Sequence, residues 1–163
     1  MPPYLEPAEP RDSLFAGLSH SSVYVIEDSQ PWVVKLDLEL TEFDLRLKRK
    51  AGPGTELGID IPVIRPSGGF LDQPLDQWHD FLNVGDYGRN GRLYNAFLYE
   101  VVLNNGIVVR GVNDRTALAD VRLTVKQVVW TNGPLVSLMA GVELPTGDAK
   151  TGFGNGSFDA STA

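Results

Sequence analysis

The chain has 163 residues, about one domain's worth. Its 14 basic and 21 acidic residues give a net charge of −7, which excludes a general nucleic-acid binder, because phosphate contacts need a positive field. It has no cysteine, which excludes disulfide scaffolds, thiolate metal sites and cysteine nucleophiles.

In chain order, residues 1–19 are Pro-rich and acidic and read as a loose arm. There is no basic region followed by an apolar one, hence no signal peptide in these residues. No window reaches about 18 uninterrupted apolar residues, so no transmembrane helix is expected; this leaves a membrane β-barrel open. Residues 21–27 are β-prone, and residues 28–31 read as a turn. From Trp32 the polarity alternates. Val34, Leu36, Leu38 and Leu40 point one way, and Lys35, Asp37 and Glu39 the other. The phase slips at Thr41 and Glu42, then resumes with Phe43, Leu45 and Leu47 against Asp44, Arg46 and Lys48. A sustained period of two predicts a strand, and the slip is what a β-bulge would produce.

A tight turn at residues 51–54 leads to a strand with Leu57, Ile59, Ile61 and Val63 on one face and Gly58 and Asp60 on the other. A long insertion follows, over about 66–117. Leu75, Trp78, Phe81 and Leu82 lie at helical spacing within residues 72–84, with Asp72 the expected cap and Pro74 in the first turn. Residues 99–112 read as a hairpin around Asn104-Asn105-Gly106. Val121, Leu123 and Val125 then oppose Arg122, Thr124 and Lys126. After a turn at residues 131–134, Val136, Leu138, Ala140, Val142 and Leu144 oppose Ser137, Met139, Gly141 and Glu143. A Gly-rich loop through Gly152, Gly154 and Gly156 precedes a last β-prone segment from Phe158. The 17 glycines and 11 prolines punctuate these runs. The fold class is all-β, an antiparallel meander.

Short and long connections alternate, so one end of the sheet carries tight turns and the other long loops. Outer-membrane barrels have that asymmetry, and so do soluble lipocalin-like barrels and sandwiches. Alternation alone does not separate them.

Two stretches carry a resemblance. One is Ile61-Pro62-Val63-Ile64-Arg65-Pro66-Ser67-Gly68-Gly69-Phe70-Leu71-Asp72 followed by Asp76-Gln77-Trp78-His79-Asp80. The other is Gly141-Val142-Glu143-Leu144-Pro145-Thr146-Gly147-Asp148 followed by Gly152-Phe153-Gly154-Asn155-Gly156-Ser157-Phe158-Asp159. Together they resemble the bacterial family called domain of unknown function 3187, whose members are expected to form outer-membrane β-barrels. The resemblance implies a partial transmembrane β-barrel with a long loop insertion carrying a short helix and a hairpin. Residues 1–19 are then an arm, and residues 20–163 the N-terminal part of the barrel. Five or six regular strands fall short of the eight in the smallest closed membrane barrels. The remaining strands and the signal peptide are therefore expected outside this chain, with Met1 a truncated start. The implied location is the outer membrane of a Gram-negative cell, with lipid against the apolar strand faces.

Three groups are candidate sites. Asp76, Trp78, His79 and Asp80 form the one concentrated polar–aromatic group, read as a ligand or gating element or as a packed amphipathic helix. Lys35, Asp37, Glu39, Asp44, Arg46, Asp60, Arg122, Lys126 and Glu143 are the inward charges that would line a lumen. Asp148 and Asp159 flank the Gly-rich loop, but their spacing matches no calcium loop, and that loop lacks the Lys-Ser/Thr end of a phosphate loop. No catalytic residue, metal ligand or cofactor is assigned. The expected function is a passive pore or a transporter of small or apolar solutes. The alternatives are a soluble sandwich or lipocalin-like binding protein and an outer-membrane lipid hydrolase. The last lacks a Gly-x-Ser-x-Gly nucleophile motif and has only His20 and His79 as histidine bases.

Overall fold

The structure is a computed structural model that describes residues 7–85 and 93–163. The alternating runs fold as an antiparallel meander of β1 (Ser13–Ser29), β2 (Trp32–Gly52) and β3 (Thr55–Ser67). The insertion supplies α1 (Asp72–Leu82), the hairpin β4 (Leu98–Leu103) and β5 (Gly106–Arg110), and the short β6 (Ala117–Leu118). The meander resumes with β7 (Val121–Trp130) and β8 (Val136–Leu144). A 3-10 turn (Ala149–Thr151) and β9 (Asp159–Thr162) follow. The sheet runs β5-β4-β2-β3-β7-β8-β9, with β1 also on β2 and β6 on β3, and it curls into a half-barrel. The all-β partial barrel expected from the sequence is therefore the observed fold.

The β4–β5 turn follows its chemistry. Asn104 (φ 49°) and Asn105 (φ 65°) both take the left-handed conformation that a two-residue hairpin turn needs. The sequence does not reveal where this hairpin goes. β4 pairs with residues 32–37 of β2, above the stretch that β3 occupies.

Two local expectations are corrected. β1 begins at Ser13, inside the stretch read as arm, because residues 13–20 pair one-for-one with residues 41–48 of β2. Pairing across strands overrides weak local alternation. There is also no bulge at Thr41 and Glu42. The register of β2 with β1 and β3 is continuous there, and the β2–β3 ladder shifts only between Lys50 and Gly52. The strand keeps its faces, and it is the apolar side chains that change sides.

Even-numbered residues of β2, β3 and β7 therefore share one face with odd-numbered residues of β8. This is the concave face. It holds Asp44, Arg46, Lys48, Glu56, Asp60 and Arg122, all buried or half-buried. The convex face holds Phe43, Leu47, Leu57, Leu123, Val125 and Leu138, all exposed. Among the described residues, Leu38, Val121, Phe153 and the prolines Pro10 and Pro66 are the buried apolar ones, whereas seven polar or charged ones are buried. Soluble domains show the opposite balance.

Above Thr41 the arrangement inverts. Leu36, Leu38 and Leu40 continue the concave face, with Tyr99 of β4 opposite Leu36. Lys35, Asp37, Glu39 and Thr41 continue the convex one.

Candidate functional site

The concave face carries a ladder of charges across four strands. Arg46 Nε donates to Asp60 Oδ1 at 2.7 Å. Arg122 lies directly across from both Asp60 and Glu143, and its guanidinium donates to Ser161 Oγ at 2.5 Å. Glu42, Asp44, Arg46, Asp60, Arg122 and Glu143 line one side of a cavity of about 410 Å³, and Asp120, Phe153 and Asn155 border it from the loop side. Nearer the tight turns, Lys126 Nζ sits 2.8 Å from Glu56 Oε1, with Lys48 Nζ 4.0 Å from the same oxygen.

Six of the nine charges expected in the lumen are brought together here: Asp44, Arg46, Asp60, Arg122, Lys126 and Glu143. Lys35, Asp37 and Glu39 are not. They lie on the convex face, because β2 has no bulge to turn them inward. Glu42, Lys48 and Glu56 were missed. For Glu42 and Lys48 the signal was parity with Asp44 and Arg46, and for Glu56 it was parity with Asp60 on β3. Asp120 was also missed, and no local pattern marks it.

Asp120 organises the β8–β9 loop over the concave face. Its carboxylate is buried and accepts Gly147 N at 2.9 Å and Asn155 N at 2.8 Å. Thr146 Oγ1 donates to Ala119 O and accepts Val121 N. The loop reaches β4, where Tyr99 Oη donates to Gly152 O at 3.3 Å. Phe153 is 1% exposed beneath the Arg115 guanidinium, which lies 5.3 Å from the ring centroid. Glycine is required at two points. A Cβ on Gly154 would lie 2.4 Å from Asp120 Oδ1, and one on Gly147 would lie 2.0 Å from Phe153 O. The Gly-rich stretch is thus a folded turn seated on a carboxylate.

Asp148 and Asp159 serve separate contacts. Asp148 accepts Lys150 N at 3.1 Å, and its carboxyl is held below the ordinary aspartate range, first by the Thr151 hydroxyl. Asp159 accepts from the Asn155 side-chain amide.

On the convex side, Glu39 is 1% exposed and fastens the start of the insertion. It accepts Phe70 N at 2.8 Å, Leu71 N, and His20 Nε2 at 2.7 Å. The His20 Nδ1 is 2.8 Å from Thr41 Oγ1, and its ring stacks on Phe70 with centroids 5.3 Å apart. With both nitrogens engaged, His20 is built into a loop anchor rather than poised as a base. Gly69 (φ 69°) lets the chain pass over Glu39.

That anchor roots α1 on the convex side. Asp72 does not cap the helix. Leu71 is the N-cap residue and makes no side-chain cap hydrogen bond, while Asp72 is buried and accepts Asn95 N at 2.7 Å. Asp76 and His79 are half-buried. Asp76 bonds the Tyr94 hydroxyl, which raises that group's pKa. His79 Nδ1 is buried without a hydrogen-bond partner among the described residues. Trp78 is 57% exposed and contacts Phe81 at 5.9 Å between centroids, and Asp80 is exposed. The helix therefore splits the four candidates, two inward and two outward.

The family model described as "Protein of unknown function (DUF3187)" matches residues 9–163. Neither the curated proteins nor the solved structures compared with the chain give a match.

Proposed function

We propose, from the premise that the chain belongs to the DUF3187 family, that it forms part of the wall of an outer-membrane β-barrel. Its polar concave face would line a passage for small solutes. The observation that carries this reading is the inside-out polarity of the sheet. A lipid-facing wall needs apolar side chains outside and tolerates charge only inside, and the half-barrel distributes them that way. A lipocalin-like protein would keep its apolar face in the core and its polar face in water.

Two further features support the membrane reading. β7 and β8 have 10 and 9 residues, and crossing a bilayer takes about 9–11 tilted strand residues. The polarity switch at Thr41 and Glu42 then marks where β2 leaves the apolar layer. Beyond it, the outward face of β2 carries Lys35, Asp37 and Glu39, and the start of the insertion sits on Glu39. Strand backbone groups within the layer must pair, which the β1–β2, β2–β3, β3–β7 and β7–β8 ladders supply over the residues they join. The inward-folded β8–β9 loop narrows the long-loop end. The mixed-charge lining suits hydrophilic solutes better than apolar ones.

The test is cellular fractionation of the full-length product, with electrophoresis before and after boiling. Recovery in outer membranes, with mobility that changes on boiling, is expected. A freely extractable, detergent-independent monomer would refute the membrane reading.

A further inference from the structure

Resting on the pore reading above, we propose that residues 7–12 are a detachable plug that obstructs the tight-turn end of the concave face. The seat is a buried charge triad. The Lys126, Glu56 and Lys48 side chains are only 5%, 4% and 11% exposed, although no helix or second sheet layer covers them among the described residues. The arm supplies that cover. Lys126 Nζ donates to Pro7 O at 3.1 Å. Arg11 N donates to Glu56 Oε2 at 2.8 Å. Pro10 is buried, beside the turn residues Pro53 and Gly54 and residue Val128. Lys50 N donates to Asp12 Oδ1 at 2.7 Å and marks where the arm passes into β1.

The chemistry of the seat is that of a removable part. Residues 7–12 make no strand pairing, so their release breaks no ladder. Three charges buried under the arm regain water when it leaves, which offsets the lost hydrogen bonds. Proline at positions 7 and 10 keeps the arm extended and limits the entropy lost on seating. Hydrogen bonds to Lys126, Glu56 and Lys50 hold it, beside the burial of Pro10. The arm lies on the lumen side, because Glu56 and Lys126 share the face of Arg46 and Asp60.

The experiment uses the full-length product in planar lipid bilayers and liposomes. Two variants loosen the seat. Lys126→Met removes the ammonium that holds Pro7 O. Arg11→Pro removes the amide donor to Glu56 together with the Arg11 side chain and leaves the barrel wall untouched, so it stands if the first variant misfolds; Arg11→Ala, which keeps the amide, isolates the side chain's share. Losing one charge-assisted hydrogen bond shifts the seated–released equilibrium about tenfold or more. These 163 residues hold no cysteine, so, with any cysteine elsewhere in the full-length product replaced by serine, Pro10→Cys gives a single thiol for a membrane-impermeant maleimide. We expect slow labelling in the otherwise unaltered protein, labelling about tenfold faster in either seat variant, and a higher open-channel fraction in the same variants. Equal currents in all proteins overturn the plug while the pore reading stands, whatever the labelling shows. No current from any protein that has inserted with a barrel's heat-dependent mobility refutes the pore reading, and the gating role with it.

Discussion

Replacing Asp120 with alanine should release the loop that narrows the long-loop end. The carboxylate accepts two backbone N–H groups, Gly147 at 2.9 Å and Asn155 at 2.8 Å, from opposite ends of the loop. A hydrogen bond to a charged group contributes about 1.5–3 kcal/mol. The two together make about 3–6 kcal/mol of local closing free energy, which is only partly recovered when water reaches the freed amides. The strands do not depend on these bonds, so the loss falls on the loop's own opening equilibrium. Amide hydrogen exchange at Gly147 and Asn155 reads it directly, and a drop of about 3 kcal/mol is a fall in protection of roughly a hundredfold. Asp120→Asn keeps one acceptor oxygen and loses the charge, so it should fall between the two. Core amides of β7 and β3 should be unchanged, which separates loop release from general unfolding. Protection at Gly147 and Asn155 within about threefold of the parent's would refute the idea that this carboxylate seats the loop.

Leu138→Arg separates a lipid-facing wall from a wet one. Leu138 is 59% exposed on the convex face, so in water the change should stay within about 0.5 kcal/mol, whereas near a bilayer midplane it should cost about 2–4 kcal/mol, read by denaturant unfolding in liposomes. Gly69→Ala should displace the start of the insertion, because the new Cβ would fall 1.8 Å from Glu39 Cδ at a φ of 69°. A fall in melting temperature corresponding to at least about 1 kcal/mol is expected, and an unchanged melt would refute it. Acid should leave the 3-10 turn at Ala149–Thr151 intact as pH falls through 3.8, because the Asp148 carboxyl is depressed. A depressed carboxyl contributes stability above its unfolded pKa and loses it only as pH falls through the lower folded value. Exchange at Lys150 N should show that loss, and Asp148→Asn should abolish its pH dependence.

The strands β2, β3, β7 and β8 were legible from their alternation, apart from the faces of β2 before Thr41, because a period of two is a local property of a half-covered chain. The β4–β5 turn was legible from two asparagines and a glycine, since few sequences accept its backbone angles. The ladder of Asp44, Arg46, Asp60, Arg122 and Glu143 followed from the same alternation. The β4 address on β2, the start of β1 at Ser13 and the role of Asp120 were not legible. Each depends on a partner more than 20 residues away, and no local pattern encodes which distant backbone will be offered.

The length, the acidic charge and the alternation by themselves determined a meander of strands with one apolar and one charged face. Only the tertiary structure decided which face was which at each height. Alternation reports the contrast between two sides, not the identity of a side. A slip in phase therefore has two physical causes, an extra residue in the strand or a change in what surrounds it. At Thr41 and Glu42 the continuous register selects the second. That choice sends Lys35, Asp37 and Glu39 outward, with Glu39 under the start of the insertion, and leaves the concave face to the charges below them.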